Sequence, residues 1–167
     1  LGNQGCTIKV ENTTFRENSA SHKGGAVYQE SGTMHFESVQ VTANTAALDG
    51  GGLHLEQGEA TVLDSDFLLN ESKRGGGISV RTGSIHLEQS LIRQNDATVA
   101  GGLLLEGFLA PADATLVGTL IRQNQAFSGG GMVLNYNSGA TCTGTPEAMG
   151  GFVQNQATEG GGILILD

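Results

Sequence analysis

The sequence has little proline, cysteine and aromatic content: among 167 residues there are two prolines, two cysteines and no tryptophan. So little proline excludes a collagen-like chain and a proline-rich disordered tract. Aromatic residues make up 5% of the chain, so aliphatic side chains must fill most of the core. The sequence contains no run of eighteen apolar residues, and we therefore expect no segment to insert into a membrane.

Positive charge is also scarce, with 8 lysines and arginines against 17 acidic residues and a net charge of −9. This balance argues against binding to nucleic acid or to an anionic membrane surface. Cys6 and Cys142 lie in the first and last repeats, and we do not expect them to pair because a disulfide joins Cα atoms within about 7 Å.

Glycine, by contrast, is abundant at 27 residues, and it belongs to a repeated unit. The first copy reads Phe15-Arg16-Glu17-Asn18-Ser19-Ala20, followed by Gly24-Gly25-Ala26-Val27. An apolar residue stands three positions before each repeated asparagine, and a glycine run opens an apolar segment after it. Successive copies are 25 to 31 residues apart. The repeated asparagines are Asn18, Asn44, Asn70, Asn95, Asn124 and Asn155.

Inside each unit apolar residues alternate with polar ones in short runs, which indicates β-strands rather than helices. Short strands at a fixed period predict a solenoid. We predict an all-β fold: a right-handed parallel β-helix with about six rungs of three short strands. The asparagines should form a structural ladder at one corner. Residues 1–167 should form a single β-helix segment. Solenoids carry polar caps at their ends, and we expect a segment of a longer solenoid because neither end shows such a cap.

Two copies are longer than the others, and the extra residues fall at one corner. We expect loop insertions near 106–113 and 135–150. Insertions on one face of a repeat protein commonly form its binding face. The residues best suited to contact a partner there are Phe108, Leu109 and Tyr136, with Pro111 beside them. We leave open whether the loops instead fold back over the neighbouring strands.

The outward stripe of the glycine strands becomes aliphatic in the last three copies. There Leu104, Val133 and Leu164 should form an exposed apolar patch, which usually marks a contact surface. Arg93 and Arg122 both stand in the sequence Ile-Arg-Gln-Asn on adjacent rungs. They could bind an acidic sugar, or they could be a solvated face.

Catalytic groups are not evident. The longest acidic column, Glu11, Glu37 and Glu88, is interrupted by Leu63, and the histidines lack metal-ligand spacing. No phosphate loop, zinc motif or nucleophile elbow is present. We therefore expect no catalytic residue, no metal and no cofactor, and we do not expect an enzyme.

The combination of Phe15-Arg16-Glu17-Asn18 with Gly24-Gly25-Ala26-Val27 resembles the repeat of the chlamydial polymorphic outer membrane proteins. That resemblance implies a right-handed β-helix of an autotransporter passenger, used in adhesion at the cell surface. The sequence departs from that repeat in two ways. The apolar residue three positions before the asparagine is phenylalanine only at Phe15, Phe67 and Phe152, and later glycine motifs have three glycines.

We therefore expect an extracellular, structural or adhesive rod segment. Its partner would be a host or neighbouring surface protein or a glycan. One alternative is a fragment of a carbohydrate-active lyase or epimerase. Another is a component of an extracellular fibre, formed by end-to-end self-association of open rungs.

Overall fold

The structure is a computed structural model, and it describes residues 5–144 and 150–167. Over these residues every regular element is a β-strand, and every strand pair is parallel. Parallel strands that follow one another in sequence need a crossover between them. Here each crossover is one turn of a coil, so that each strand pairs with its copy in the next repeat.

Each turn contains up to four strands, which we number along the chain. The first strand of a turn is β1 (Thr7–Glu11), β5 (Thr33–Glu37), β9 (Glu59–Leu63) or β13 (Gly83–Glu88). The second is β2 (Thr14–Arg16), β6 (Gln40–Thr42), β10 (Asp66–Leu68), β14 (Leu91–Arg93), β17 (Leu120–Arg122) or β20 (Gly151–Val153).

The third strand, directly after the asparagine, is β3 (Ser19–Ala20), β7 (Thr45–Ala46), β11 (Glu71–Arg74), β15 (Asp96–Val99) or β18 (Gln125–Ser128). The fourth, after the glycines, is β4 (Val27–Gln29), β8 (Leu53–Leu55), β12 (Ile78–Val80) or β21 (Ile163–Ile165). Two long strands, β16 (Leu103–Val117) and β19 (Met132–Thr143), combine a fourth strand with the next first strand.

The strands form three sheets of ten, six and five strands. In the six-stranded sheet the order is β2-β6-β10-β14-β17-β20, so six copies are stacked and about five turns separate the first from the last. The register places equivalent positions opposite one another, as in the pairs Phe15 with Val41 and Phe67 with Ile92. The predicted parallel β-solenoid is confirmed.

The strand after the asparagine was not separated in the sequence prediction, which assigned three strands to each rung. It is only two to four residues long, and its sequence is largely polar. Its parallel partners nevertheless align, as Ser72 does with Ala97. This position needs a small side chain because it faces inward at the narrow corner, where Ala46 is 2% exposed.

The core is a set of apolar columns that run along the axis. Phe36, Val62 and Leu87 occupy one such column, and each is at most 1% exposed. Phe15 stacks on Phe36 with ring centroids 5.8 Å apart. Burial of a large apolar side chain contributes about 1.5–3 kcal/mol, so the repeated inward positions are the main source of stability.

Two different constraints favour glycine at the corner before the fourth strand. The first glycine of the run has a left-handed backbone, with φ of 65° at Gly50 and 64° at Gly75, a conformation that costs residues with a Cβ about 1–2 kcal/mol. The second glycine lies against its neighbours: a Cβ on Gly76 would lie 2.6 Å from the carbonyl oxygen of Gly101.

The two insertions are largely strand, where we had expected loops. β16 and β19 pair along almost their whole length, with one irregularity between Gly107 and Ala112. At this irregularity residues 108–111 lie opposite the single residue Asn137. The first insertion is therefore an outward bulge on a continuous strand. Of the second insertion, residues 145–149 lie outside the described part of the chain.

The expected exposed apolar patch is also corrected by the structure. Leu104 is 1% exposed and Val133 is fully buried. They form a second, small apolar cluster with Ala100, against which Val99 and the half-buried Leu164 pack. The segment that leads into the glycine strand thus covers the stripe at Leu104 and Val133, and the fourth strands of the middle rungs, such as β8 and β12, are buried on both faces.

Candidate functional site

The repeated asparagines lie in one file along the solenoid. In each step the backbone N–H and the Nδ2 of one asparagine both donate to the Oδ1 of the next, as Asn70 does to Asn95 at 2.8 and 3.0 Å. The same Nδ2 also donates backward to a carbonyl oxygen, from Asn95 to Phe67 at 3.0 Å. Asn44, Asn70, Asn95 and Asn124 are at most 1% exposed, so this file is a structural element rather than a binding surface.

A second polar column, which the sequence analysis missed, lies five residues before the asparagines. The backbone N–H of Val39 donates to the hydroxyl of Ser65 at 3.0 Å, and that of Ser65 donates to Ser90 at 3.2 Å. Thr119 continues the column. The signal in the sequence was a Ser or Thr at the same offset from three successive asparagines.

The feature best suited to bind a ligand is a cleft of about 340 Å³ beside the fourth strands, and its lining extends from the first rung to the two insertions. We call it the charged cleft. It is formed where two outward columns of the solenoid face each other, one with alternating charge and the other mostly acidic. Its lining residues are Lys23, Leu48, Asp49, Arg74, Arg81, Glu106, Phe108 and Tyr136.

Arg74 is the central cation of the charged cleft. Its guanidinium donates to both carboxylate oxygens of Asp49, at 2.7 and 3.1 Å, and to Glu106 at 3.1 and 3.2 Å. Asp49 is 2% exposed. The hydrogen bond with Asp49 raises the pKa of Arg74 above its ordinary value, because it favours the charged form. Arg74 thus connects rungs two to four.

Glu56 joins the other charges of this surface. It accepts hydrogen bonds from Lys23 at 2.6 Å and from Arg81 at 2.7 Å. Desolvation works against its ionisation, but the hydrogen bonds from Lys23 and His54 outweigh it and lower the pKa of Glu56 to about 2. Three cations therefore meet three carboxylates, and the surface has no net charge.

His54 lies beneath this network and is only 1% exposed. Its Nε2 lies 3.0 Å from Glu56, and its ring stacks on Tyr28 with centroids 5.7 Å apart. Burial lowers the pKa of His54, so the neutral ring is favoured. A neutral ring that donates from Nε2 leaves Nδ1 as an acceptor, and no described residue donates to it.

The rim of the charged cleft carries the aromatic residues that the sequence singled out. Phe108 is 59% and Tyr136 50% exposed, and their rings meet edge to face with centroids 5.2 Å apart. The structure thus brings together one residue from each insertion. Leu109, at 78% exposure, is on the same bulge but does not line the cleft.

Arg93 and Arg122 are paired across adjacent strands, as the repeat register requires. They lie on the outer side of the six-stranded sheet rather than in the charged cleft. The guanidinium of Arg93 donates to Asp66 at 2.7 Å, and this hydrogen bond raises the pKa of Arg93. A ligand carboxylate would have to compete with Asp66 for Arg93.

The acidic column is as the repeat predicts: Glu11 pairs with Glu37, and Leu63 follows. Lys9 lies 2.6 Å from Glu11 and 3.5 Å from Glu37, so these carboxylates belong to a solvated, ion-paired face. In residues 5–144 and 150–167, no three His, Cys, Asp or Glu side chains are grouped as metal ligands. In the same ranges no helix has the length and hydropathy to cross a bilayer.

The charged residues of the cleft were not identified from the sequence, although a signal was present. Lys23, Asp49 and Arg74 recur four or five residues after successive asparagines, and their charges alternate. In a parallel stack such residues become neighbours one rung apart. Backbone bridges join Lys23 to Asp49 and Asp49 to Arg74.

The first repeat is similar to a known repeat family. Residues 12–30 match the Chlamydia polymorphic membrane protein repeat. The match covers the second, third and fourth strands of the first turn, from the corner before β2 to the corner after β4. The register stacks the equivalent positions of the next copy on this matched segment, as β6 on β2 and β8 on β4, so the matched segment is part of the unit that recurs along the solenoid. No curated protein and no solved structure matches the chain significantly.

Proposed function

We propose that this chain is a rigid β-solenoid segment of an extracellular, surface-displayed protein, with a structural and adhesive role. The family of the matched repeat supports surface display. The parallel stack supports the rod, since each turn is hydrogen-bonded to the next along its length. The segment would hold a partner-binding surface away from the cell.

The observation that carries the adhesive part is the exposed aromatic pair at the rim of the charged cleft. Tyr136 is paired with Gly107, and Phe108 directly follows Gly107 at the start of the bulge, so paired backbone adjoins both rings. Aromatic rings give large contact area at low entropic cost, and they are enriched in binding hot spots. The adjacent guanidinium and carboxylate groups supply directional hydrogen bonds.

The favoured partner is a surface protein or glycan without strong net charge, because the cations of the cleft are already matched by Asp49, Glu56 and Glu106. A strongly anionic or cationic ligand would have to break these ion pairs. An uncharged surface with an apolar or sugar-ring face can stack on Phe108 and Tyr136 without doing so.

The test is binding of the fluorescently labelled chain to a printed array of extracellular-matrix proteins and glycans. We expect the Phe108→Ala/Tyr136→Ala variant to lose at least tenfold in affinity for the bound spots. Phe127→Ala is the matched control, since Phe127 is 63% exposed on β18. Equal loss in both variants, or no bound spot for the wild-type chain, would contradict the proposal.

A polysaccharide-cleavage assay on the same glycans tests the alternative of a carbohydrate-active enzyme. We expect binding without chain shortening. Release of reducing or unsaturated ends by the wild-type chain would favour the enzyme instead.

A further inference from the structure

A second cleft, of about 480 Å³, lies at the corner between the second and third strands of the last three rungs. All of its lining residues carry a side-chain carboxamide, and we call it the glutamine groove. It is formed by Gln94, Gln123, Asn124, Gln125, Gln154, Asn155 and Gln156. It is distinct from the charged cleft, with which it shares no lining residue.

The groove exists because glutamine flanks the asparagine in the later copies. Gln123 and Gln125 flank Asn124, and Gln154 and Gln156 flank Asn155. In the first three rungs the residue before the asparagine is Glu17, Ala43 or Leu69. The carboxamide surface is thus confined to one end of the rod.

The corner that carries these glutamines has the same backbone in every rung. Gln94, Gln123 and Gln154 have φ values of 54°, 54° and 55°, and the equivalent Glu17, Ala43 and Leu69 have 56°, 54° and 56°. The left-handed conformation therefore belongs to the repeat and does not by itself mark a function. Glycine adopts this conformation without strain, so a glycine variant can remove a groove side chain without distorting the corner.

The amides of the groove differ in whether they already make hydrogen bonds within the protein. Asn124 donates to Asn155 at 2.9 Å and to the carbonyl of Ile92 at 3.0 Å. The five glutamines are exposed, and within residues 5–144 and 150–167 none of their side chains makes a hydrogen bond. Each offers two N–H donors and one carbonyl acceptor to a ligand.

The chemistry of the lining selects an uncharged, hydroxyl-rich ligand. A sugar hydroxyl both donates and accepts, and a carboxamide can satisfy both roles without a charge. An ionic ligand would find no ionised group in the lining to match it. The equivalent amides recur every ~4.8 Å along the axis, so the ligand must be extended and parallel to the rod.

We propose that the glutamine groove binds an extended segment of a neutral polysaccharide, two or three sugar units long, which lies along the solenoid axis. The amides of Gln94, Gln123 and Gln154 contact one edge of the chain, and those of Gln125 and Gln156 contact the other. The affinity is modest because each long side chain loses rotamer freedom on binding.

The test is an NMR titration of the ¹⁵N-labelled chain with cellohexaose and with maltohexaose, with hexagalacturonic acid as the charged comparator. We expect one neutral hexasaccharide to shift the side-chain NH₂ signals of the groove glutamines. Gln123→Gly should weaken binding at least fivefold without loss of thermal stability, since glycine fits the left-handed backbone. Gln40→Ala, an exposed glutamine on β6, is the matched control and should bind as the wild-type chain does.

Three results would overturn this proposal. The first is that neither neutral hexasaccharide shifts these signals. The second is that hexagalacturonic acid binds more tightly than both. The third is that the signals shift with protein concentration alone, which would mean that a second copy fills the groove. The Phe108→Ala/Tyr136→Ala variant should give an unchanged titration, which separates this inference from the adhesive role of the charged cleft.

Discussion

At the scale of single residues, the asparagine file shows how one side chain can satisfy several buried groups at once. Asn95 accepts from the backbone N–H and the Nδ2 of Asn70, and it donates to Phe67 and Asn124. All of these groups are buried within the solenoid, so water cannot replace a hydrogen-bond partner that a substitution removes. Buried polar groups without partners are costly, so this position should tolerate no apolar replacement.

The first prediction concerns this position. Asn95→Ala should lower the free energy of unfolding by at least about 3 kcal/mol, because it leaves several buried donors and acceptors unsatisfied. Urea denaturation monitored by circular dichroism measures the change. Asn18→Ala is the matched control: Asn18 donates to Asn44 but accepts from no described residue, and its loss should cost about 1 kcal/mol or less. Equal effects at the two positions would refute the role assigned to the file.

At the scale of the elements, the corner before the fourth strand determines how closely successive rungs approach. The glycine there leaves no room for a side chain, and the backbone N–H of Gly76 donates to the carbonyl of Ala100 on the next rung at 2.9 Å. Ala100 takes the place of a first glycine with φ of 57°, and its buried side chain packs in the cluster with Leu104 and Val133.

The second prediction compares two glycines. Gly76→Ala should destabilise the chain by about 1–3 kcal/mol or more, because the new Cβ would overlap the carbonyl oxygens of Asp96 and Gly101 and force the backbones apart. Gly151→Ala should be nearly neutral, since a Cβ there meets no atom of the described residues within 4 Å. Thermal unfolding of both variants is the measurement, and a stable Gly76→Ala chain would show that the corner can widen.

At the scale of the whole molecule, the charge network of the early rungs makes the stability of the fold depend on pH. The pKa of His54 is lowered by burial, so the folded state resists protonation of this ring. The pKa of Glu56 is lowered to about 2, so the folded state favours the ionised carboxylate. In both cases the unfolded chain takes up protons at a higher pH than the folded chain.

The third prediction follows from this difference in proton uptake between the unfolded and the folded chain. Stability should fall as the pH decreases below about 6.5, where unfolded histidine gains a proton, and fall further between pH 4.5 and about 2 as Glu56 protonates. Urea midpoints measured from pH 8 to pH 2 test this. His54→Phe, which preserves a ring against Tyr28, should remove the first decrease, whereas His22→Gln at an exposed position should retain it. An unchanged profile for His54→Phe would contradict the assignment.

The sequence alone was sufficient for the architecture of this protein. The period, the asparagines and the alternating apolar residues predict a parallel coil because the same local choices are repeated in every copy, and consistent local signals specify a fold strongly. The register of Phe15, Val41 and Phe67 could be derived by counting. Glu11 and Glu37 were likewise correctly placed in one column.

The tertiary structure decided which outward side chains become buried and which of them contact one another across rungs. Leu104 and His54 were expected on the outer face, but both are buried. Val99 and Ala100 pack against Leu104, whereas Tyr28 and Glu56 contact His54. The alternation of apolar and polar residues in a strand cannot show whether other side chains cover its outer face. The charged cleft likewise joins Lys23, Asp49 and Arg74, which lie up to 51 positions apart in the sequence. Pairing across rungs brings them together, because one turn of the coil advances the chain by only about 4.8 Å along the axis.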